Sequence, residues 1–309
     1  MASNSSKKII ITGAKGFVGK ALCSNLSKYN YLNFIPLARE PLPPNFQLCP
    51  GLNQKEGWSE LLAEADVVIH LAGKAHEVSN ASSLEAFRSV NTYGTVNLAK
   101  QAVIAGVKKF IFMSSIGVNG VSNSSPFKYN DKPTPIENYA ISKYEAEIAL
   151  KKIVKNTDME LVIIRPPLVY GKNAPGNFGK LLNVAQRNLP LPLGAINNQR
   201  SFVAVDNLVD LIVTCIDHPN AVNHTFLVSD DEDISTSNLL KKLTLAAGKK
   251  PWLIPIPLSF LKLIASVVGK KDTVERFSSS LIVDIEHTKS TLNWKPPITL
   301  EEGIRRCFK

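Results

Sequence analysis

The chain has 309 residues, of which 44% are hydrophobic and 20% charged, and its formal net charge is +10. That balance can bury a sizeable core, as one large α/β unit or as two lobes, and excludes a disordered chain. Four widely separated cysteines, Cys23, Cys49, Cys215 and Cys307, fit neither a disulfide framework nor a metal site and suit a reducing cytoplasm.

Polar residues 1–8 lead straight into an apolar strand without the basic-then-apolar pattern of a secretory leader, so a cytoplasmic protein is expected. The lysines are scattered and no basic run is interleaved with aromatics, so no nucleic-acid partner is expected. Most of the positive charge reads as solvated surface, and a basic surface also attracts a diphosphate-bearing ligand.

Residues 8–12 (KIIIT) predict a strand, 17–28 a helix and 34–37 a second strand. Residues 66–71 (DVVIHL) are a further strand, followed by a helix around 84–105, a strand at 109–113 (KFIFM), a helix at 138–155 and a strand at 161–164. Such alternation predicts an α/β fold with a Rossmann-type doubly wound parallel sheet, which binds ligands at the carboxyl ends of its strands. After Pro166 the pattern changes. Residues 171–200 are rich in Gly, Asn and Pro around a helix at 178–187, and strands at 201–205 and 226–228 are expected to return to the sheet. Residues 235–309 read as a smaller helical lobe. The expected division is a nucleotide-binding domain over 1–170, with 201–230 returning to it, and a substrate lobe over 171–200 and 231–309.

The longest apolar region, 252–268, is interrupted by Pro255, Pro257 and Lys262 and cannot span a bilayer, so no stable membrane insertion is expected. It reads as a buried Pro-rich strand followed by a helix at 259–268, with contact to a membrane surface as the other reading.

Residues 12–19 (TGAKGFVG) follow the first strand and open the first helix. Gly13 permits a tight turn, Gly16 lets a pyrophosphate approach the backbone, and Gly19 allows close helix–sheet packing. The helix N-terminus then offers free N–H groups and partial positive charge to phosphates. At the end of the second strand an acid would hold a ribose 2′-hydroxyl, whereas an arginine suits a 2′-phosphate. Arg39 followed by Glu40 leaves NAD and NADP both open, with a lean toward NADP.

Tyr139 and Lys143 stand at i and i+4 at the start of a helix, on one face. An ammonium beside a phenol favours the phenolate, so Lys143 is expected to lower the Tyr139 pKa and make it an acid–base group. Ser114 and Ser115 close the strand at 109–113, where a hydroxyl can bond a substrate oxygen and stabilise its charge.

With these residues in place the chain resembles the extended short-chain dehydrogenase/reductases, and within them the nucleotide-sugar epimerase/dehydratase family. The resemblance runs through the glycine turn, 66–72 (DVVIHLA), 90–98 (VNTYGTVNL), Ser114-Ser115, Tyr139 with Lys143, 165–171 (RPPLVYG) and 292–296 (LNWKP). It implies that Ser115, Tyr139 and Lys143 are catalytic. It also implies a cofactor site of Gly13, Gly16, Phe17, Val18, Gly19, Arg39, Asp66, Leu71, Ala72, Gly73, Asn91 and Pro166, with Tyr139 and Lys143, and Asp66 near the adenine. Lys74, Ser115, Asn177, Phe178, Arg200 and Arg276 would bind a nucleotide-sugar substrate, UDP-linked, with Asn177 and Arg200 on the diphosphate. A homodimer through the helices beginning near Thr92 and Tyr139 is implied in the same way. His76, in a loop, reads as an exposed histidine.

The resemblance narrows the chemistry. Family dehydratases follow the catalytic Ser/Thr with Asp-Glu, whereas Ser115 is followed by Ile116-Gly117, which disfavours water elimination. A 4-epimerase acting on a UDP-hexose or UDP-N-acetylhexosamine is expected slightly ahead of an NADPH-dependent 4-ketosugar reductase of surface-polysaccharide synthesis. A cofactor-binding regulator without catalysis is a third reading, opposed by the intact Ser115, Tyr139 and Lys143.

Overall fold

The computed structural model describes residues 6–29, 32–39, 45–54, 56–74, 83–267, 269 and 271–309. Glu40 and His76 lie outside them, as does most of the loop at 74–80. Strand β1 (Lys7–Thr12) leads to α1 (Phe17–Leu26), β2 (Leu32–Ala38), β3 (Gln47–Leu48), α2 (Trp58–Leu62) and β4 (Val67–His70). Helices α3 (Leu84–Phe87) and α4 (Thr95–Ile104) precede β5 (Lys109–Met113), α5 (Asn138–Val154), β6 (Glu160–Arg165) and β7 (Leu168–Tyr170). Next come α6 (Gly176–Arg187), β8 (Arg200–Ala204), α7 (Val205–Asp217), β9 (Thr225–Leu227) and β10 (Asp233–Ile234). The chain closes with α8 (Thr236–Ala246), α9 (Leu258–Val267), α10 (Lys271–Ser278), α11 (Glu286–Leu292) and α12 (Leu300–Arg306).

Seven strands form one sheet in the order β3-β2-β1-β4-β5-β6-β9, and every pairing in it is parallel. The doubly wound α/β expectation therefore holds. The reason is visible in β1, whose run of isoleucines is buried on both sides. Ile9 and Ile11 pack with Leu22 and Leu26 of α1 on one face, while Ile10 packs with Leu98 and Ala102 of α4 on the other. A strand covered twice needs no polar alternation, which is why the run is continuous. The order of the strands reverses at β1, so the crevice at its carboxyl end is the switch point where a ligand fits.

Three local expectations change. Residues 200–204 do not rejoin the large sheet: β8 pairs in parallel with β7 and antiparallel with β10 in a separate three-stranded sheet, and only β9 extends the large one. The single helix expected at 84–105 is two helices joined by a π-helical stretch, Arg88–Gly94. Residues 252–257 are not a buried strand. Leu253 makes only an isolated bridge to Leu191, Trp252 is 60% exposed, and α9 buries just Leu261 and Ala265. Among the described residues no helix is long and apolar enough to cross a membrane.

Candidate active site

The glycine turn is shaped by crowding. Gly13 adopts φ +72°, and a Cβ there would lie 2.5 Å from the Ala72 nitrogen. A Cβ on Gly19 would meet the Gly13 carbonyl oxygen at 2.3 Å. Turn, α1 and the segment after β4 thus pack backbone to backbone, and Leu71 N–H donates to the Thr12 carbonyl at 3.2 Å. Helix α1 starts at Gly16 with no side-chain cap and no acid in its first turn, so its N–H groups stay available to an anion. The residues present therefore fit a dinucleotide diphosphate. Gly13, Gly16, Phe17, Val18, Gly19, Leu71, Ala72 and Gly73 all come together at this edge. Arg39 is exposed one residue beyond β2.

Asp66 is a correction. It precedes β4, at the amino edge of the sheet, where its carboxylate accepts the Lys8 backbone N–H at 2.9 Å. The glycine turn opens at the opposite end of β1, so the length of a strand separates Asp66 from the crevice.

The π-helical stretch explains how Asn91 reaches the crevice. It is fully buried, and its Oδ1 accepts the Lys74 backbone N–H at 2.7 Å. Its Nδ2 donates to the Lys74 carbonyl and the Ser142 hydroxyl, both at 3.0 Å. Arg88 grips Glu145 of α5 through Nη2 at 2.6 Å and Nε at 2.9 Å, and Thr92 donates to the Ser142 carbonyl at 2.9 Å. Widening one turn lets these side chains reach α5 and the 71–74 segment together.

Lys143 is buried and donates to the Met113 carbonyl at 2.8 Å, with its ammonium 4.6 Å from the centre of the Phe112 ring. A Cβ on Gly73 would lie 3.1 Å from both Lys143 Nζ and Asn91 Oδ1, so a side chain there would have to displace one of these groups. Burial lowers the Lys143 pKa to about 8, opposed by the charge of Glu147. Tyr139, one helical turn earlier, is partly buried and has the Phe87 ring edge-on at 6.3 Å, and Lys74 lies over that same ring. The expected lowering of the phenol is reversed: burial pushes Tyr139 up to about 12. Desolvation exceeds any help from a lysine whose ammonium is directed to a backbone carbonyl.

The two serines separate cleanly. Ser114 is buried and spends its hydroxyl on Glu147, at 2.5 Å. Ser115 is partly exposed and caps the 3₁₀ turn Ile116–Val118, accepting the Gly117 N–H at 3.1 Å. A Cβ on Gly117 would touch Ala140 at 3.2 Å and the Ser115 hydroxyl at 3.4 Å, which brings Ser115 beside the start of α5. Pro166 accepts the Ile116 N–H at 2.9 Å and closes this corner. Ser115, Tyr139 and Lys143 therefore share one edge of the sheet.

On the far side of the crevice, Arg200 donates to the backbone carbonyls of Arg276 at 2.6 Å and Ser279 at 3.3 Å. Arg276 is exposed and pairs with Glu137, the residue before α5, at 3.2 Å. Asn177 is exposed in the first turn of α6. Phe178 is a second correction: it is fully buried against Tyr170, ring centres 5.1 Å apart, so its side chain belongs to the core.

Sequence reasoning missed the layer behind these groups. Glu147 and Arg165 form a buried ion pair, with Arg165 Nε at 2.8 Å from the carboxylate and its Nη1 donating to Asn119 at 2.9 Å. Glu147 stands four residues after Lys143, a spacing that signals the same helix face. His70 is also fully buried, with Nδ1 2.6 Å from the Thr12 hydroxyl and Nε2 2.9 Å from that of Thr95. Burial, helped by the Lys143 charge, lowers its pKa to about 3.

A profile of the NAD dependent epimerase/dehydratase family matches residues 9–229. A Vibrio cholerae protein described as UDP-glucose 4-epimerase is 44% identical over 308 residues, 97% of this chain and 94% of its own length. An Escherichia coli O157:H7 protein, N-acetyl-alpha-D-glucosaminyl-diphospho-ditrans,octacis-undecaprenol 4-epimerase, is 26% identical over 97% of this chain and 94% of its own. The structure of UDP-N-acetylglucosamine 4-epimerase from Bacillus cereus superposes with a TM-score of 0.81 at 18% identity, covering 98% of this chain and 96% of that one.

Proposed function

The chain belongs to the NAD dependent epimerase/dehydratase family, and from that premise we propose that it inverts C4 of a UDP-linked hexose or N-acetylhexosamine. The observation that carries this reading is the meeting of Ser115, Tyr139 and Lys143 at the carboxyl edge beside the glycine turn. Identity of 44% to a 4-epimerase across nearly the whole chain supports the position of the reaction on the sugar.

When bound, the nicotinamide group supplies the hydride acceptor and donor and, oxidised, a positive charge that favours a nearby phenolate. Tyr139 takes the proton of the C4 hydroxyl and returns it to the other configuration. Ser115 bonds the same oxygen and steadies its charge. Lys143, held by Met113, keeps a positive charge near the phenol and donates to the cofactor ribose. Arg200 and Asn177 hold the substrate diphosphate. Residues 1–170, joined by α7 and β9 within 201–230, act as the nucleotide-binding domain, and residues 171–200 and 231–309 as the substrate lobe. Exposed Ile104 on α4 and Ile148 on α5 support a homodimer through those helices, and the four unpaired cysteines support a cytoplasmic setting.

The test is incubation of purified protein with UDP-glucose and UDP-N-acetylglucosamine, followed by proton NMR of the sugar. Appearance of the C4 epimers without added cofactor is expected, together with NAD released on denaturation. One observation favours a second reading: exposed Arg39 beyond β2 suits a 2′-phosphate. Stoichiometric NADPH consumption with a UDP-4-ketosugar, and no interconversion of UDP-hexoses, would replace the epimerase by a reductase.

A further inference from the structure

The C-terminal lobe carries a surface that catalysis does not use. Between residues 235 and 271 the chain contains seven lysines and no aspartate or glutamate, so much of the net charge of +10 is gathered there. The same segment holds exposed apolar side chains: Trp252 is 60% exposed, Phe260 52%, Leu263 61% and Val267 81%. Ile254 and Ile264 add to them. Helix α9 turns Leu261 and Ala265 toward the protein, and a soluble helix would present polar residues on its remaining faces. Here only Lys262 and two serines, Ser259 and Ser266, interrupt the apolar outer surface.

From this combination we infer that α9 and the Trp252–Ile254 segment form a docking surface for an anionic lipid bilayer. Phe260, Leu263, Ile264 and Val267 enter the boundary between headgroups and acyl chains, Trp252 lies at headgroup level, and Lys249, Lys250 and Lys262 meet the anionic headgroups. The Trp252–Ile254 segment is tied to the loop after α6. Leu191 N–H donates to the Trp252 carbonyl at 3.1 Å, and Gly194 N–H to that of Ile254 at 3.0 Å.

Charge decides against the other occupants. A two-fold contact of this patch with its own copy sets the same lysines against each other, which repels. A nucleic acid would answer the lysines but leave the exposed aliphatic side chains in water. An anionic bilayer satisfies both sets. The surface also borders the crevice, because α9 packs against α10 and the carbonyl of Arg276 in α10 is one of the two that Arg200 holds.

Co-sedimentation of the full chain with vesicles tests the inference independently of the reaction catalysed. Binding is expected to vesicles of phosphatidylglycerol and phosphatidylcholine and to fall steeply on phosphatidylcholine alone and at high salt. F260S/L263S/V267S should lower the partition coefficient at least tenfold while keeping the wild-type circular dichroism, melting midpoint and nicotinamide-cofactor affinity. If that variant fails to fold, K249E and K250E serve instead; they alter only exposed side chains and should each cost about fivefold or more. Equal sedimentation of wild type and every folded variant overturns the inference. So does a wild-type dimer, seen by analytical ultracentrifugation, that the apolar variant dissolves.

Discussion

Around Lys143 the buried polar groups are fastened to one another, whereas around Arg200 the supports are backbone carbonyls and one exposed ion pair. Lys143 rests on Met113, Asn91 on Lys74 and Ser142, and Ser114 on Glu147, which is itself locked by Arg165. Arg200, by contrast, leans on the carbonyls of residues 276 and 279, and Arg276 reaches Glu137 across open solvent with side-chain exposures of 62% and 40%. The first arrangement fixes geometry before any ligand arrives, as proton and hydride transfer require. On the proposed reading the second exchanges its partners for the substrate diphosphate, because an exposed carboxylate is a cheap group to give up.

Substitutions can break that contrast. Tyr139→Phe should lower kcat about 10³-fold, near 4 kcal/mol, with cofactor binding kept. Steady-state rates beside fluorescence titration of the nicotinamide check it, and wild-type rates in the variant would remove Tyr139 from the acid–base role. Glu147→Ala should cost about 3–4 kcal/mol of stability, because it leaves the Arg165 charge buried and unpaired. Urea unfolding measures this, and a loss under about 1 kcal/mol would show that the layer behind the site is dispensable. On the other side, Arg200→Ala should raise KM about 10- to 100-fold with the unfolding midpoint barely moved; an unchanged KM excludes it from the substrate site.

The pH dependence sharpens the same comparison. His70 titrates near 3 in the folded protein and near its ordinary value of 6.5 in the unfolded chain. Between those values the unfolded chain holds a proton that the folded one refuses, so stability falls as pH drops through that window. Its share of the slope should be about 1.4 kcal/mol per pH unit. Unfolding at pH 4.5, 5.5 and 6.5 should show a shallower slope in His70→Gln, and an identical slope would mean that His70 is not held neutral. The smallest effect is expected from Arg276→Ala, less than about 1 kcal/mol in stability, since its ion pair with Glu137 is solvent-exposed.

Much of the first region was legible in the chain. Glycine at 13, 16 and 19 is demanded by close backbone contacts, and the i, i+4 spacing of Tyr139 and Lys143 places them on one helix face whatever surrounds them. Asp66 misled because its role came from the resemblance alone; it opens the strand, at the amino edge opposite the carboxyl ends where ligands bind, and its carboxylate is held by the Lys8 N–H. Phe178 misled because its position in the motif does not reveal which way the first turn of α6 points. The Tyr139 pKa depended on burial, which no spacing encodes.

By itself, then, the amino-acid order determined the alternating strands and helices, the parallel sheet they build and the turn at its switch point, since these follow from periodicity and from the backbone freedom of glycine. Tertiary structure alone decided that Ser114 turns inward to Glu147, which ion pair lies behind Lys143, that β8 leaves the large sheet, and that Trp252 and the faces of α9 away from Leu261 and Ala265 are exposed. Those outcomes depend on contacts between residues distant in the chain, and burial is a property of the neighbours that folding brings, not of the residue that is buried.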